Sequence, residues 1–263
     1  FITEDIPRFW EGFDQLDTVK KPFKDYVKTG SPGLQDFIDD RIVSAKHLTK
    51  TVKAKKKGYE NIRAESLKVE ESTERIRQYY QVFKEKYDAA VFPPTYFVIG
   101  AFNSGGTSSD NGLIIGVEMQ TKVSDIPYIV AHELIHFNQN YPKPRTLLDQ
   151  SIMEGVADFV GELISGDHIN HAAFDYGNAN EEALCREFVA IMNDGKYHGW
   201  LYGTMGKKEG RPNDLGYWIG YQIAAAYYEK ADDKKQALKD ILNIRDYQVF
   251  LNQSEYLSPY MSE

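Results

Sequence analysis

Ile126-Pro127-Tyr128-Ile129-Val130-Ala131-His132-Glu133-Leu134-Ile135-His136 is the stretch on which the reading of this chain turns. Its apolar run predicts a buried helix, started by Ser124-Asp125 with Pro127 just behind. On a helix, positions i and i+4 share one face with Cβ atoms about 5–6 Å apart. His132 and His136 can therefore converge on a single ion, at about 2.0–2.1 Å from each nitrogen. Glu133 sits one step round the helix, where it can reach a water on that ion without binding the ion itself. The spacing arises by chance in about one such chain in a hundred. The bland alternative is a pair of ordinary core or solvent histidines. Two buried imidazoles one turn apart would be awkward to satisfy without a shared ligand, so the metal reading, with zinc as the ion, is the stronger.

Two ligands do not hold zinc; a catalytic site needs a third protein ligand and an open fourth position. A third histidine further along the same stretch is absent, because Gln139 and Pro142 occupy those places. The next helical segment offers Glu154-Gly155-Val156-Ala157-Asp158. Glu154 and Asp158 are again i and i+4. Glu154 is the favoured third ligand, and Glu162, Asp149 and Asp158 itself are competitors. Asp158 is then the carboxylate that accepts the second N–H of a ligand histidine, which fixes its tautomer and orientation. The alternative for Asp158 is a surface carboxylate. Gly155 and Ala157 are small and permit close helix packing.

An HExxH helix followed by a Glu-x-x-x-Asp helix resembles the gluzincin branch of zinc metallopeptidases. A closer resemblance rests on Ala131–His136, Thr146-Leu147-Leu148, Ile152-Met153-Glu154-Gly155-Val156-Ala157-Asp158-Phe159 and Asp214-Leu215-Gly216-Tyr217-Trp218-Ile219-Gly220-Tyr221. These look like a bacterial family of predicted zinc-dependent proteases, similar to gliding-motility lipoproteins of Bacteroidetes, over roughly residues 95–255. The resemblance implies a zincin-like fold and a periplasmic or cell-envelope location and little about substrate; the expected cofactor is Zn2+ and the expected partner a peptide or protein substrate. It also implies an oxyanion-stabilising tyrosine from a later helix, with Tyr217 favoured and Tyr221 second. Those two residues, one turn apart between Gly216 and Gly220, are equally readable as an aromatic core stripe with Tyr228. His198 is a further possible donor or a loop cap. His168 and His171 read as surface residues.

Outward from the motif, the first ninety residues read as helices. Ser31 caps a helix with Pro32 at its first position, followed by Leu34, Phe37, Ile38, Ile42 and Ala45 at helical spacing. Gly58 is expected to break the pattern, and one long helix to run from about Tyr59 to Tyr87. Pro93-Pro94 ends this region. Tyr96–Ile99 and Leu113–Val117 read as two strands of a hairpin joined by the long loop Asn103–Gly112. The strand Leu113–Met119 is a candidate edge for an extended peptide. Helices follow at about Leu147–Ser165, closed by Gly166, and near 179–193, 213–230 and 233–252, with loop around 195–210.

The expected fold is therefore mostly helical α+β: a zincin-like domain with a small sheet at 93–263, preceded by a helical N-terminal part at 1–92, or one continuous domain.

The chain has 263 residues and a net charge of −8, which repels phosphate backbones and makes nucleic acid an improbable main partner. The basic run Lys53-Ala54-Lys55-Lys56-Lys57 reads as a solvated helix end, or less favourably as an anionic-surface contact. Cys185 is the single cysteine, so no intrachain disulfide forms, and its amphipathic setting reads as a small buried side chain. No apolar run reaches the roughly 20 residues of a membrane span. The first residue is Phe1 rather than Met, so a signal or lipoprotein segment is expected to have been removed. Two functions from different classes remain: a zinc metallopeptidase using Glu133 as general base, and a non-catalytic envelope or assembly protein that retains the fold. The intact Glu133 favours the first. Oligomeric state leaves no mark on the sequence.

Overall fold

The computed structural model describes residues 1–204, 206 and 208–261. Its packing divides the chain into two compact units, Phe1–Gln81 with Val91–Phe137, and Val82–Ala90 with Asn138–Glu263. The fold is mostly helical with a small three-stranded sheet, an α+β arrangement.

The first unit begins with α1 (Asp5–Asp14), α2 (Lys24–Thr29) and α3 (Pro32–Phe37). Ser31 caps α3, its hydroxyl accepting the Leu34 N–H at 3.2 Å, with Pro32 at the first helical position as expected. The helix does not continue to Ala45. A π-helical turn over Ile38–Ile42 ends at Val43, whose φ is +67°, and Ser44 caps α4 (Ala45–Ala54). Gly58 is not the breaker. The chain bends at Lys55, and Gly58 lies inside α5 (Lys56–Ser66). The long helix expected from Tyr59 to Tyr87 is split by a 3₁₀ turn at Val69–Ser72 before α6 (Thr73–Lys86). Leu67, counted as an apolar helix position, is exposed at this break.

The sheet corrects the expected hairpin. β1 (Thr95–Val98) runs parallel to β3 (Gly112–Gly116), with Tyr96 opposite Ile114. β2 (Gly106–Ser109), inside the expected loop, pairs antiparallel with β3, so the strand order is β1-β3-β2. β3 is therefore the central strand, and the free edge belongs to β2. Gly-Thr-Ser-Ser carries no apolar alternation, which is why its strand character does not show in the sequence. The tight turn needs Gly112: its φ is +139°, and a Cβ there would lie 2.1 Å from the Pro94 carbonyl.

The N-terminal helices and the sheet share one core, in which Phe9, Phe23, Phe37 and Tyr59 lie with Phe97, Ile115 and Val130. Phe9 stacks on Phe23 and Tyr59 with centroids 5.0 and 5.5 Å apart. Each such ring contributes about 2–3 kcal/mol on burial. The Tyr26 hydroxyl donates to the Ile99 carbonyl at 2.8 Å, and Tyr59 donates to Gly100 at 2.8 Å, clamping the chain as it leaves β1. Ile2 pairs with the outer side of β1. These contacts hold the N-terminal helices and the sheet together in this unit. α7 (Ile126–Asn138) completes this unit.

The second unit is helical: α8 (Leu147–Ser165), α9 (His171–Ala179), α10 (Glu181–Ile191), α11 (Leu215–Lys230), α12 (Lys234–Ile241) and α13 (Tyr247–Ser254). α8 has the expected limits. Thr146 and Asp149 form a reciprocal capping box at its start, and Gly166 ends it at φ +85°. α9 is an additional helix, and the segment expected at 233–252 is two helices. The stretch 195–210, expected as loop, has no helix or strand among its described residues; 205 and 207 lie outside them. α8 and α11 cross with their backbones in contact. A Cβ on Gly220 would lie 1.7 Å from the Ser151 carbonyl, and one on Gly155 would lie 2.1 Å from the Tyr221 nitrogen. No described helix is long and apolar enough to cross a membrane.

Candidate metal centre

In the first unit, α7 is buried along Ile126, Ile129, Val130, Leu134 and Ile135, which fixes the face on which its polar residues emerge. His132 and His136 lie one turn apart with Nε2 atoms 3.0 Å from each other and rings nearly perpendicular at 85°. Two ligand nitrogens on a tetrahedral ion with 2.0–2.1 Å bonds would be about 3.3 Å apart. The two imidazoles thus already converge as a ligand pair does. Glu133 is half-buried on the adjacent face. Its carboxylate presses on β2, since a Cβ on Gly106 would lie 2.2 Å from Glu133 Oε1. Glycine at 106 is what lets the edge strand pass this carboxylate.

In the second unit, α8 presents Glu154 and Asp158, both buried and one turn apart. Glu154 Oε1 accepts from Gln150 Nε2 at 3.1 Å and from the Tyr202 hydroxyl. Gln150 also donates to the Tyr202 oxygen at 2.8 Å. Asp158 Oδ2 accepts the Asn170 amide at 2.6 Å. Among the competing ligands, Asp149 is committed to the helix cap, and Glu162 is bonded to Tyr221.

The two candidate tyrosines separate. Tyr217 lies beside Glu154 and Asp158, and its ring meets that of Tyr202 edge-on at 6.3 Å. Burial, followed by the nearby Glu154 carboxylate, pushes its hydroxyl well above the usual tyrosine range. Tyr221 instead packs on Phe159 and Phe174 at 5.4 and 5.0 Å, with its hydroxyl on Glu162.

Tyr202, Gln150 and Asn170 are absent from the sequence reading. Gln150 had a signal, being one turn before Glu154. Tyr202 had none: it stands in an irregular loop at φ +57°, with its N–H bound to Asp214 Oδ1 at 2.6 Å. About half its surface is exposed, yet its hydroxyl end reaches the buried Glu154. Burial and the Glu154 charge raise that hydroxyl's pKa also.

The remaining histidines lie elsewhere. His198 pairs with Asp194 at 2.7 Å on the surface. His168 stacks on Phe174 at 4.0 Å. Asp167, His168 and His171 bring donor atoms within 4.8 Å of one another. Nδ1 of His168 already accepts the Asn170 N–H at 3.1 Å, so the neutral ring carries its proton on Nε2 and has no lone pair left for a metal. Cys185 is buried, and burial pushes its thiol up to about 11, as befits a packed side chain rather than a nucleophile.

Residues 70–247 match the model of a protein family whose description is "Predicted Zn-dependent protease". No curated protein and no solved structure matches the chain.

Proposed function

We propose that this chain, which belongs to the family of predicted Zn-dependent proteases, is a zinc metallopeptidase of gluzincin-like, zincin-like type. His132, His136 and Glu154 are the ligands in this reading. Two imidazoles and one carboxylate are a donor set that suits zinc with one position left open. The observation that carries the reading is the convergence of the His132 and His136 Nε2 atoms beside the Glu133 carboxylate.

Zinc, when bound, lowers the pKa of water and polarises a carbonyl. Glu133 then acts as general base, taking a proton from the attacking water and delivering it to the leaving amine. Gln150 and Tyr202 hold Glu154 in place through hydrogen bonds to Oε1. Asp158, itself held by the Asn170 amide, is the carboxylate that orients a ligand histidine in this reading. Tyr217 is the donor for the developing oxyanion; its place beside Glu154 supports it over Tyr221. The open edge of β2, against Glu133, is where an extended peptide would add as a further strand.

A quenched-fluorescence peptide library tests the reading. Wild-type protein with zinc should cleave members of the library, and Glu133→Gln should lose 10²-fold to 10⁴-fold in kcat, the usual worth of a general base, while retaining zinc. Stoichiometric zinc with no cleavage of any library peptide would overturn the peptidase reading.

A further inference from the structure

The first unit buries an acid that the proposed chemistry does not use. Glu118 lies in the 3₁₀ turn over Val117–Met119 that follows β3, and it is 1% exposed. A carboxyl withdrawn from water is costly unless donors meet its oxygens. Oε1 accepts the Phe102 N–H at 3.3 Å and the Gly100 N–H, whereas Oε2 has no partner. The titratable groups that face it are Tyr26 on α2, Tyr59 on α5 and Lys55 at the end of α4. Both tyrosine hydroxyls already donate elsewhere, to the Ile99 and Gly100 carbonyls. Lys55 makes no ion pair with Glu118 and stands over the Phe102 ring, 5.3 Å from its centroid.

What Glu118 holds is the segment that leads from β1 into β2. Phe102 lies midway along it at φ +58°, a conformation that costs a residue other than glycine and lasts only where its surroundings enforce it. Its N–H is bound by Glu118 and its ring meets Tyr59 edge-on at 4.6 Å. Close approach of the carboxylate is possible because residue 100 is glycine, where a Cβ would lie 2.8 Å from Oε1. Further along, the Gly105 carbonyl accepts the Gly116 N–H at 3.0 Å, and the Ser104 hydroxyl donates to the Gly106 carbonyl at 3.1 Å. Gly106 is the first residue of β2 and the one that abuts the Glu133 carboxylate. The backbone held by Glu118 thus runs directly into the strand beside the proposed base.

An apolar side chain would fill this part of the core without the cost of burying an acid, but it would offer nothing to the two amides. We infer that Glu118 is a positioning residue for the proposed peptidase: by holding the Gly100 and Phe102 amides it fixes the segment that enters β2, and so sets that edge strand in the place beside Glu133 where an extended peptide pairs. This role rests on the peptidase reading. Glu118 touches no substrate and acts through the backbone of residues 100–106. Glu133 stands on α7, outside that segment, so the effect falls on peptide binding more than on the chemical step.

The test uses the full chain as wild type, Glu118→Gln and Glu118→Leu. Gln keeps an acceptor oxygen for the two amides; Leu keeps the bulk and offers none. One arm needs no cleavage: amide hydrogen exchange read by mass spectrometry over residues 99–106. The other measures kcat and KM on a library peptide that the wild type cleaves. Exchange in the segment should be on the order of tenfold faster in the Leu variant and within about twofold of wild type in the Gln variant. KM should rise on the order of tenfold in the Leu variant with kcat within about threefold, and stay close to wild type in the Gln variant. Thermal melting verifies folding. If the Leu variant does not fold, Glu118→Asp replaces it with the same expectations, since it keeps the charge but withdraws the oxygens by one methylene. Exchange as slow as wild type, faster exchange with KM unmoved, or equal losses in the Gln and Leu variants would each overturn the role while leaving the peptidase reading intact. No cleavage by the wild type would sink that reading and this role with it; faster exchange confined to the Leu variant would then mark a structural hold alone.

Discussion

Glu133 and Gly106 are the residues whose relation bears most directly on the chemistry. Placing a methyl group at 106 would bring it within 2.2 Å of Glu133 Oε1. The carboxylate is the far end of a flexible side chain and can yield, so the cost falls on catalysis rather than folding. Gly106→Ala should lower kcat/KM by about 10²-fold, the usual penalty for a catalytic group displaced by about 1 Å. It should leave the melting temperature within a few degrees of wild type. Unaltered activity in that variant would show that Glu133 is not the base. Glu118 makes a separate prediction. It is fully buried, Oε2 has no partner, and burial raises its carboxyl from 4.5 to about 7 despite N–H groups from Gly100 and Phe102. A carboxyl raised in the folded state stabilises fully below pH 4.5, and that stability is lost as pH rises through 7. The displacement is worth ~3 kcal/mol at about 1.4 kcal/mol for each tenfold change. Urea unfolding should show wild-type stability falling between about pH 5 and 8, and Glu118→Gln flattening that fall. Parallel profiles for the two proteins would remove Glu118 as the cause. At this scale the sequence displayed His132, Glu133, His136, Glu154 and Asp158, because helical spacing alone puts each set on one face. It could not display Tyr202 or Asn170, which reach Glu154 and Asp158 from irregular segments.

Elements were legible where local chemistry decides them. Ser31-Pro32, Thr146 and Gly166 mark helix ends by hydrogen bonds or backbone angles that involve only near neighbours. β2 was illegible because an edge strand of Gly, Thr and Ser takes its conformation from pairing with β3. The parallel β1–β3 pair was read as a hairpin for the same reason: the strand between them was hidden. The break between α5 and α6 was missed because Leu67 continues the apolar pattern although it faces solvent. The crossing of α8 on α11 belongs to this scale too. Gly155 and Gly220 bring the two backbones together, so Gly220→Ala has to force the helices apart. Calorimetric or denaturant unfolding should register a loss of about 3 kcal/mol or more, at the upper end of overpacking effects. A change under about 0.5 kcal/mol would mean that the helices do not meet there.

For the whole molecule, family membership covers residues 70–247 and establishes the class as predicted zinc-dependent protease. The α+β character was visible in the alternation of a short β-branched region with long amphipathic segments. The grouping of N-terminal helices with the sheet was not, since it depends on Tyr26 and Tyr59 reaching carbonyls 73 and 41 residues away. The central claim is that His132, His136 and Glu154 together hold one zinc while Glu133 stands beside it without binding it. Metal content by plasma mass spectrometry, measured after dialysis on wild type, Glu133→Gln and Glu154→Gln in parallel, tests this directly. The account predicts about one zinc per chain in the first two proteins and loss of zinc from Glu154→Gln. Wild-type protein that takes up no zinc, or a Glu154→Gln variant that holds it as tightly as wild type, would contradict it.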